Sequence, residues 1–136
     1  MKNNHGGIYM FQGFEHTAIA ALNTKELADW YCKVFSLNVV YDNKKEPATY
    51  MLKALDGTML EIVPATSSED RQYEAREKGI RHIAIRVTDF QEACKKLEGH
   101  GVTFFENKTL QDGGKLAFFR DPEGNILHLM WRTKEL

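Results

Sequence analysis

Four residues able to bind a cation recur at matching places in the two halves of this 136-residue chain. His16 opens the alternating stretch His16-Thr17-Ala18-Ile19-Ala20, and His82 opens His82-Ile83-Ala84-Ile85-Arg86. A second donor follows each His, after 45 and 46 residues, in a late apolar stretch: Glu61 in Met59-Leu60-Glu61-Ile62-Val63, His128 in Ile126-Leu127-His128-Leu129-Met130. The offset between halves is 66 for the His16/His82 pair and 67 for the Glu61/His128 pair. Three imidazoles and one carboxylate suit Zn, Ni, Fe, Co or Mn rather than Ca or Mg. A catalytic ion keeps a position open, where adjacent oxygens of a substrate would chelate. The ion would then act as a Lewis acid toward an enediolate or alkoxide. Such chemistry needs a base near a C–H proton; Glu61 as a dissociable ligand is the expected base, with His128 as the substitute.

The pattern around these residues says what must position them. In residues 14–21, His16, Ala18 and Ala20 share one face of a strand, and Thr17, Ile19 and Ala21 the other. Asn23 precedes Glu26 by three, a capping-box spacing, and Leu27, Trp30, Tyr31 and Val34 form a helical stripe. Strands are expected over 38–42, 48–55 and 58–63, the last two joined by an Asp56-Gly57 hairpin turn. Residues 64–80 read as a polar bridge, with a short helix expected over Arg71–Lys78 ending at Gly79. The programme then repeats: a strand over 81–87, a capping box at Thr88/Gln91, and a stripe of Phe90, Ala93, Cys94 and Leu97. Strands over 102–106, 115–120 and 126–132 follow. Each half is β-α-β-β-β. Ile83, Ile85 and Val87 should face a helix, so His82, Ala84 and Arg86 should face away from it. In the closing strands Leu60 and Ile62 match Leu127 and Leu129, while Glu61 matches His128 on the opposite face. Arg86, sharing the His82 face, is a candidate for binding an anionic group of a substrate.

Composition excludes several classes. Apolar residues make up 43% and charged residues 27%, as in an ordinary globular domain. A formal net charge of −1 gives no electrostatic case for nucleic acid or an anionic membrane. No apolar run approaches the ~18 residues of a membrane span, and the N-terminal Met1-Lys2-Asn3-Asn4-His5 lacks the apolar core of a secretory signal. The two cysteines, Cys32 and Cys94, fall on expected helices as small hydrophobes; with no disulfide framework, a cytoplasmic setting is expected. His5 and His100 have no repeat partner and are expected at the surface. Tyr50, Phe105, Phe118, Phe119 and Trp131 are core residues first and pocket residues second.

The paired β-α-β-β-β halves resemble the vicinal oxygen chelate superfamily of glyoxalases, extradiol dioxygenases and bleomycin-resistance proteins. The residues that carry the resemblance are Arg81-His82-Ile83-Ala84-Ile85-Arg86-Val87 and Phe118-Phe119-Arg120-Asp121-Pro122-Glu123-Gly124-Asn125-Ile126-Leu127-His128-Leu129, within a match over 12–132. The resemblance implies metal ligands on the first and last strand of each half, hence His16, Glu61, His82 and His128. It also implies a homodimer, with the site formed within one chain or between exchanged halves. The last ligand position, usually Glu in glyoxalase-like members, is His128 here. Ala18 and Ala20 stand where glutathione-using bacterial members carry an Arg, so a glutathione thioester is not the expected substrate.

The expectation is therefore an α+β fold: two repeated βαβββ modules forming a curved mixed sheet with helices on the convex side. An extension over 1–11 precedes the modules at 12–64 and 81–132, joined by a linker over 65–80. The expected activity is that of a metal-dependent, glyoxalase-like lyase or isomerase on a small oxygenated metabolite. An Fe(II)-dependent dioxygenase using His16, His82 and Glu61 is one alternative. A non-catalytic binding protein for antibiotic-type small molecules is another.

Overall fold

The computed structural model describes residues 10–67, 69 and 71–136. The first module runs β1 (His16–Ala21), α1 (Thr24–Phe35), β2 (Asn38–Asp42), β3 (Tyr50–Lys53) and β4 (Met59–Pro64). The second runs β5 (His82–Arg86), α2 (Phe90–Gly99), β6 (Glu106–Thr109), β7 (Lys115–Arg120) and β8 (Ile126–Trp131). The expected βαβββ repeat is realised. The strands form two separate four-stranded mixed sheets rather than one, ordered β1-β4-β3-β2 and β5-β8-β7-β6. In each, the first strand runs parallel to the last and the other pairs are antiparallel. His5 lies outside the described residues. Among those described, no helix is long and apolar enough to cross a membrane.

Each helix starts where a side chain satisfies its free amides. Asn23 accepts from the Glu26 amide at 3.0 Å, and its own side-chain amide donates to the Glu26 carboxylate at 3.2 Å. The second helix is capped by Asp89, which accepts from the Glu92 amide at 3.1 Å, one residue beyond the expected Thr88/Gln91 box. Both spacings fit a cap, and Asp outranks Thr at that position. Leu27, Ala28 and Tyr31 of α1 bury against Leu52, Leu60 and Ile62; Leu97 of α2 lies with Phe119, Leu127 and Leu129. The two sets form one cluster, in which each fully buried large apolar side chain contributes about 1.5–3 kcal/mol. Phe35 and Phe119 join the modules, with ring centroids 6.2 Å apart.

The Asp121–Asn125 turn completes that joint. Asp121 is 5% exposed and accepts from the amides of Glu123 and Asn125, the Asn125 side chain, and the buried Tyr31 hydroxyl at 2.8 Å. Glu123 accepts from the backbone amides of Leu22 and Asn23, at 2.6 and 2.8 Å, at the start of α1. A carboxylate there also complements the positive end of the helix. The turn that carried the family resemblance is thus a clamp between modules.

Two elements differ from expectation. Val102–Glu106 is not a strand; pairing with β7 begins at Glu106. Val102 and Phe104 are apolar because they pack against the core below α2, and the Val102 amide donates back to Leu97. Arg71–Lys78 forms a single turn rather than a helix. There the guanidinium groups of Arg71 and Arg81 sit 4.4 and 4.7 Å from the Tyr73 ring centre. That stacking holds the linker in a non-helical strap.

Candidate metal-binding half-sites

The strand registers place the four candidate donors equivalently. Ala18 pairs with Glu61 in the first sheet and Ala84 with His128 in the second. His16 and His82 lie two residues before Ala18 and Ala84, on the same faces. Those faces point away from the helices: Ile19 and Ala21 are buried, whereas His16, Ala18 and Ala20 are exposed. Ile83 and Ile85 pack on the core, whereas His82, Ala84 and Arg86 are exposed. The faces are as the alternation anticipates.

The chain brings the donors together as two pairs. His16 Nε2 lies 3.8 Å from Glu61 Oε1. The His82 and His128 rings lie 4.7 Å apart, tilted by 53°. Among the described residues no group of three or more His, Cys, Asp or Glu side chains is arranged to hold a metal. Each module therefore brings together two of the candidate donors. Alternation in sequence fixes the face on which a side chain lies, not the angle between two modules, so this division was not legible beforehand.

Each pair presents free donor atoms. His16 Nδ1 donates to the Glu15 carboxylate at 2.9 Å, which leaves Nε2 as the available nitrogen on the Glu61 side. Glu15 was missed in the sequence, although it directly precedes His16. His128 Nδ1 donates to the Leu129 carbonyl at 3.1 Å, which likewise frees Nε2. Such fixing of the tautomer through the second nitrogen is the usual support for a metal-binding imidazole. Burial pushes the His128 pKa down against the opposing Leu129 hydrogen bond, and the neighbouring His82 and Arg132 push it down further. The shift favours the neutral ring, the form that binds a cation. This donor chemistry fits a borderline transition metal, with His16, Glu61, His82 and His128 as the residues that would hold it.

The surroundings of the pairs differ. Phe118 stands opposite His128 in the ladder, with ring centroids 4.8 Å apart, and meets the His82 ring edge-on at 6.3 Å. Of the aromatics weighed for a pocket, Phe118 is on the donor face, Phe119 is core, and Phe105 is half exposed. Arg86 lies four residues beyond His82, roughly 13 Å along the strand. It pairs with Glu135 at 3.1 Å in the open. Cys32 and Cys94 are half-buried free thiols whose pKa values burial raises, as befits packing residues. His100 caps the end of α2 at the surface.

The chain matches the family model described as Glyoxalase/Bleomycin resistance protein/Dioxygenase superfamily over residues 13–129. Its fold is similar to that of a glyoxalase family protein from Enterococcus faecalis, at 26% identity and a TM-score of 0.75, covering 90% of this chain and 99% of that one. It is similar to a lactoylglutathione lyase from Agrobacterium tumefaciens, at 19% identity and a TM-score of 0.71, covering 90% and 96%. It is also similar to TnmS3, an antibiotic binding protein from a Streptomyces species, at 17% identity and a TM-score of 0.72, covering 93% and 100%. With two register-equivalent βαβββ modules and a family match across nearly all of both, the chain belongs to the Glyoxalase/Bleomycin resistance protein/Dioxygenase superfamily.

Proposed function

We propose that the protein is a metal-dependent lyase or isomerase acting on a small oxygenated metabolite, and that it works as a two-fold dimer. In that dimer the His16/Glu61 pair of one copy faces the His82/His128 pair of the other. The single observation that carries the reading is the division of the donors: two pairs at register-equivalent positions on outward sheet faces, each with too few ligands alone. A two-fold axis would complete two identical sites at once. Large apolar side chains left in the open also support a second copy, among them Phe11, Phe14, Leu55 and Ile80.

A bound cation would polarise neighbouring substrate oxygens and favour negative charge developing on them. The residues supply the rest. Glu61 is only partly exposed and faces a nitrogen at 3.8 Å without a hydrogen bond. In this reading Glu61 would take a proton from the carbon beside the chelating oxygens and return it; its lack of a hydrogen bond to His16 supports that role. Neutral His128, locked by Leu129, holds its orientation through that transfer. Phe118, with the two rings of its own sheet, walls one side against water.

Elemental analysis of the dialysed protein, together with sedimentation, tests the reading. The expected result is one transition-metal ion per chain in a dimer, and loss of that metal in His82→Ala with an unchanged circular-dichroism spectrum. A monomer, or metal content unaffected by His82→Ala, overturns it. Oxygen uptake with catechols under Fe(II) would replace it with dioxygenase chemistry.

A further inference from the structure

A second place in the molecule carries unused chemistry. Between the modules lies a cavity of about 440 Å3, lined on one side by residues 17–20 of β1 and on the other by His82 and Ile83 of β5. Both strands are outermost in their ladders, so their outer backbone groups are unpaired within the sheets and border this seam. The linker strap closes it with Arg71, Tyr73 and Arg81. We infer that this cavity binds the carboxylate group of a small organic acid, held by Arg81 with help from Arg71.

The strap is built to present guanidinium groups. Arg71 and Arg81 both lie over the Tyr73 ring, at 4.4 and 4.7 Å from its centre. Tyr73 is itself pinned, since both terminal nitrogens of Arg120 donate to its carbonyl at 3.3 Å, and Nη1 also donates to the Gly124 carbonyl at 2.7 Å. Two like charges gathered on one ring repel unless an anion lies near them. Arg71 has a counter-ion, Glu77 at 2.9 Å. Arg81 has none among the described residues, and its Nε is buried without a hydrogen-bond partner. Gly79, at φ 120°, makes room for this arrangement: a Cβ there would stand 3.0 Å from Arg81 Nη2.

The acidic lining residues select the ligand's charge. Both oxygens of Glu123 are committed to the Leu22 and Asn23 amides. Glu69 also borders the cavity and would repel a dianion more strongly than a monoanion. The site thus suits a planar carboxylate, which matches the guanidinium fork, better than a phosphate dianion. His82 lines the same cavity, so an acid held by Arg81 would direct its oxygen-bearing carbons toward the His82/His128 pair. That orientation rests on the proposed function; carboxylate binding does not.

The test uses metal-free full-length protein, titrated with 2-oxobutanoate and with its uncharged methyl ester while the arginine Nε–H signals are followed by NMR. The acid is expected to shift the Arg81 signal and to bind about tenfold more tightly than the ester, as for the loss of one charged hydrogen-bonding group. Arg81→Met should weaken the acid by a similar factor, and Lys95→Met, on exposed α2, should leave it unchanged. Arg81→Lys keeps the charge without the fork and should fall between; it serves if Arg81→Met does not fold. Equal binding of acid and ester, or an Arg81 variant that binds like the parent, overturns the inference. Because no metal is present, either result leaves the metal-binding proposal to its own test.

Discussion

The two modules share a register and differ in how deeply they set their chemistry. On the first sheet, Glu61 stands beside a half-open His16 whose orientation rests on an exposed carboxylate. On the second, His128 is 5% exposed, bonded to backbone and flanked by Phe118. The turns that feed the closing strands differ in the same sense. Asp56 in the first is exposed and bonds only within its own turn, to Thr58. Asp121 in the second is buried and ties four groups, one of them on the other module. A duplicated scaffold has thus kept its geometry while one copy became the rigid wall and the other the adaptable, charged side. In the proposed reaction, a base that moves a proton would benefit from the looser setting, and an imidazole kept neutral from the burial of the tighter one.

The contrast makes predictions of decreasing size. Asp121→Ala should strip partners from Tyr31 and the turn amides and cost about 3 kcal/mol or more, whereas Asp56→Ala should leave the urea midpoint nearly where it is. Equal shifts would mean the two turns do the same job. His128→Ala should cost about 2 kcal/mol, from the void left beside Phe118 and His82. Glu61→Ala should stay within about 0.5 kcal/mol in stability, so that any loss of metal or turnover in that variant reports chemistry and not folding.

The pH dependence sharpens the same difference. The folded state holds His128 neutral below its ordinary range, so on acidification the unfolded chain takes up this proton first. Its contribution is full above the ordinary histidine value of about 6.5 and declines as pH falls below that. His128→Asn should flatten this part of the urea-midpoint profile of the metal-free protein; a profile identical to the parent would remove His128 as its source. Glu123→Gln keeps one of the two acceptors, turns an NH2 toward the second amide and loses the charge at the α1 N-terminus, for about 1–2 kcal/mol, of which the charge part shrinks with added salt.

Much of this architecture was legible from local pattern. The alternation at 16–20 and 82–86 gave the faces, because strand side chains alternate strictly. The stripe from Leu27 to Val34 and the Asn23 cap gave α1. What failed locally did so for tertiary reasons. Val102 and Phe104 are apolar to fill space under a helix, and the strap at 71–81 trades helical hydrogen bonds for stacking on Tyr73. The candidate donors stood out as candidates because duplication marks them. Their grouping into pairs could not, because it depends on how one module is set against the other. That setting is made by Asp121, Glu123 and Phe119, which no periodicity marks.

The clamp at Glu123 also bears on how the chain is made. The amides it satisfies, on Leu22 and Asn23, lie about a hundred residues earlier. A nascent polypeptide that has emerged only as far as the linker can lay its first helix on its own sheet, but the Leu22 and Asn23 amides and the Tyr31 hydroxyl stay without these acceptors until the last turn arrives. Ribosomal synthesis thus delivers the clamp last, after the parts it ties down.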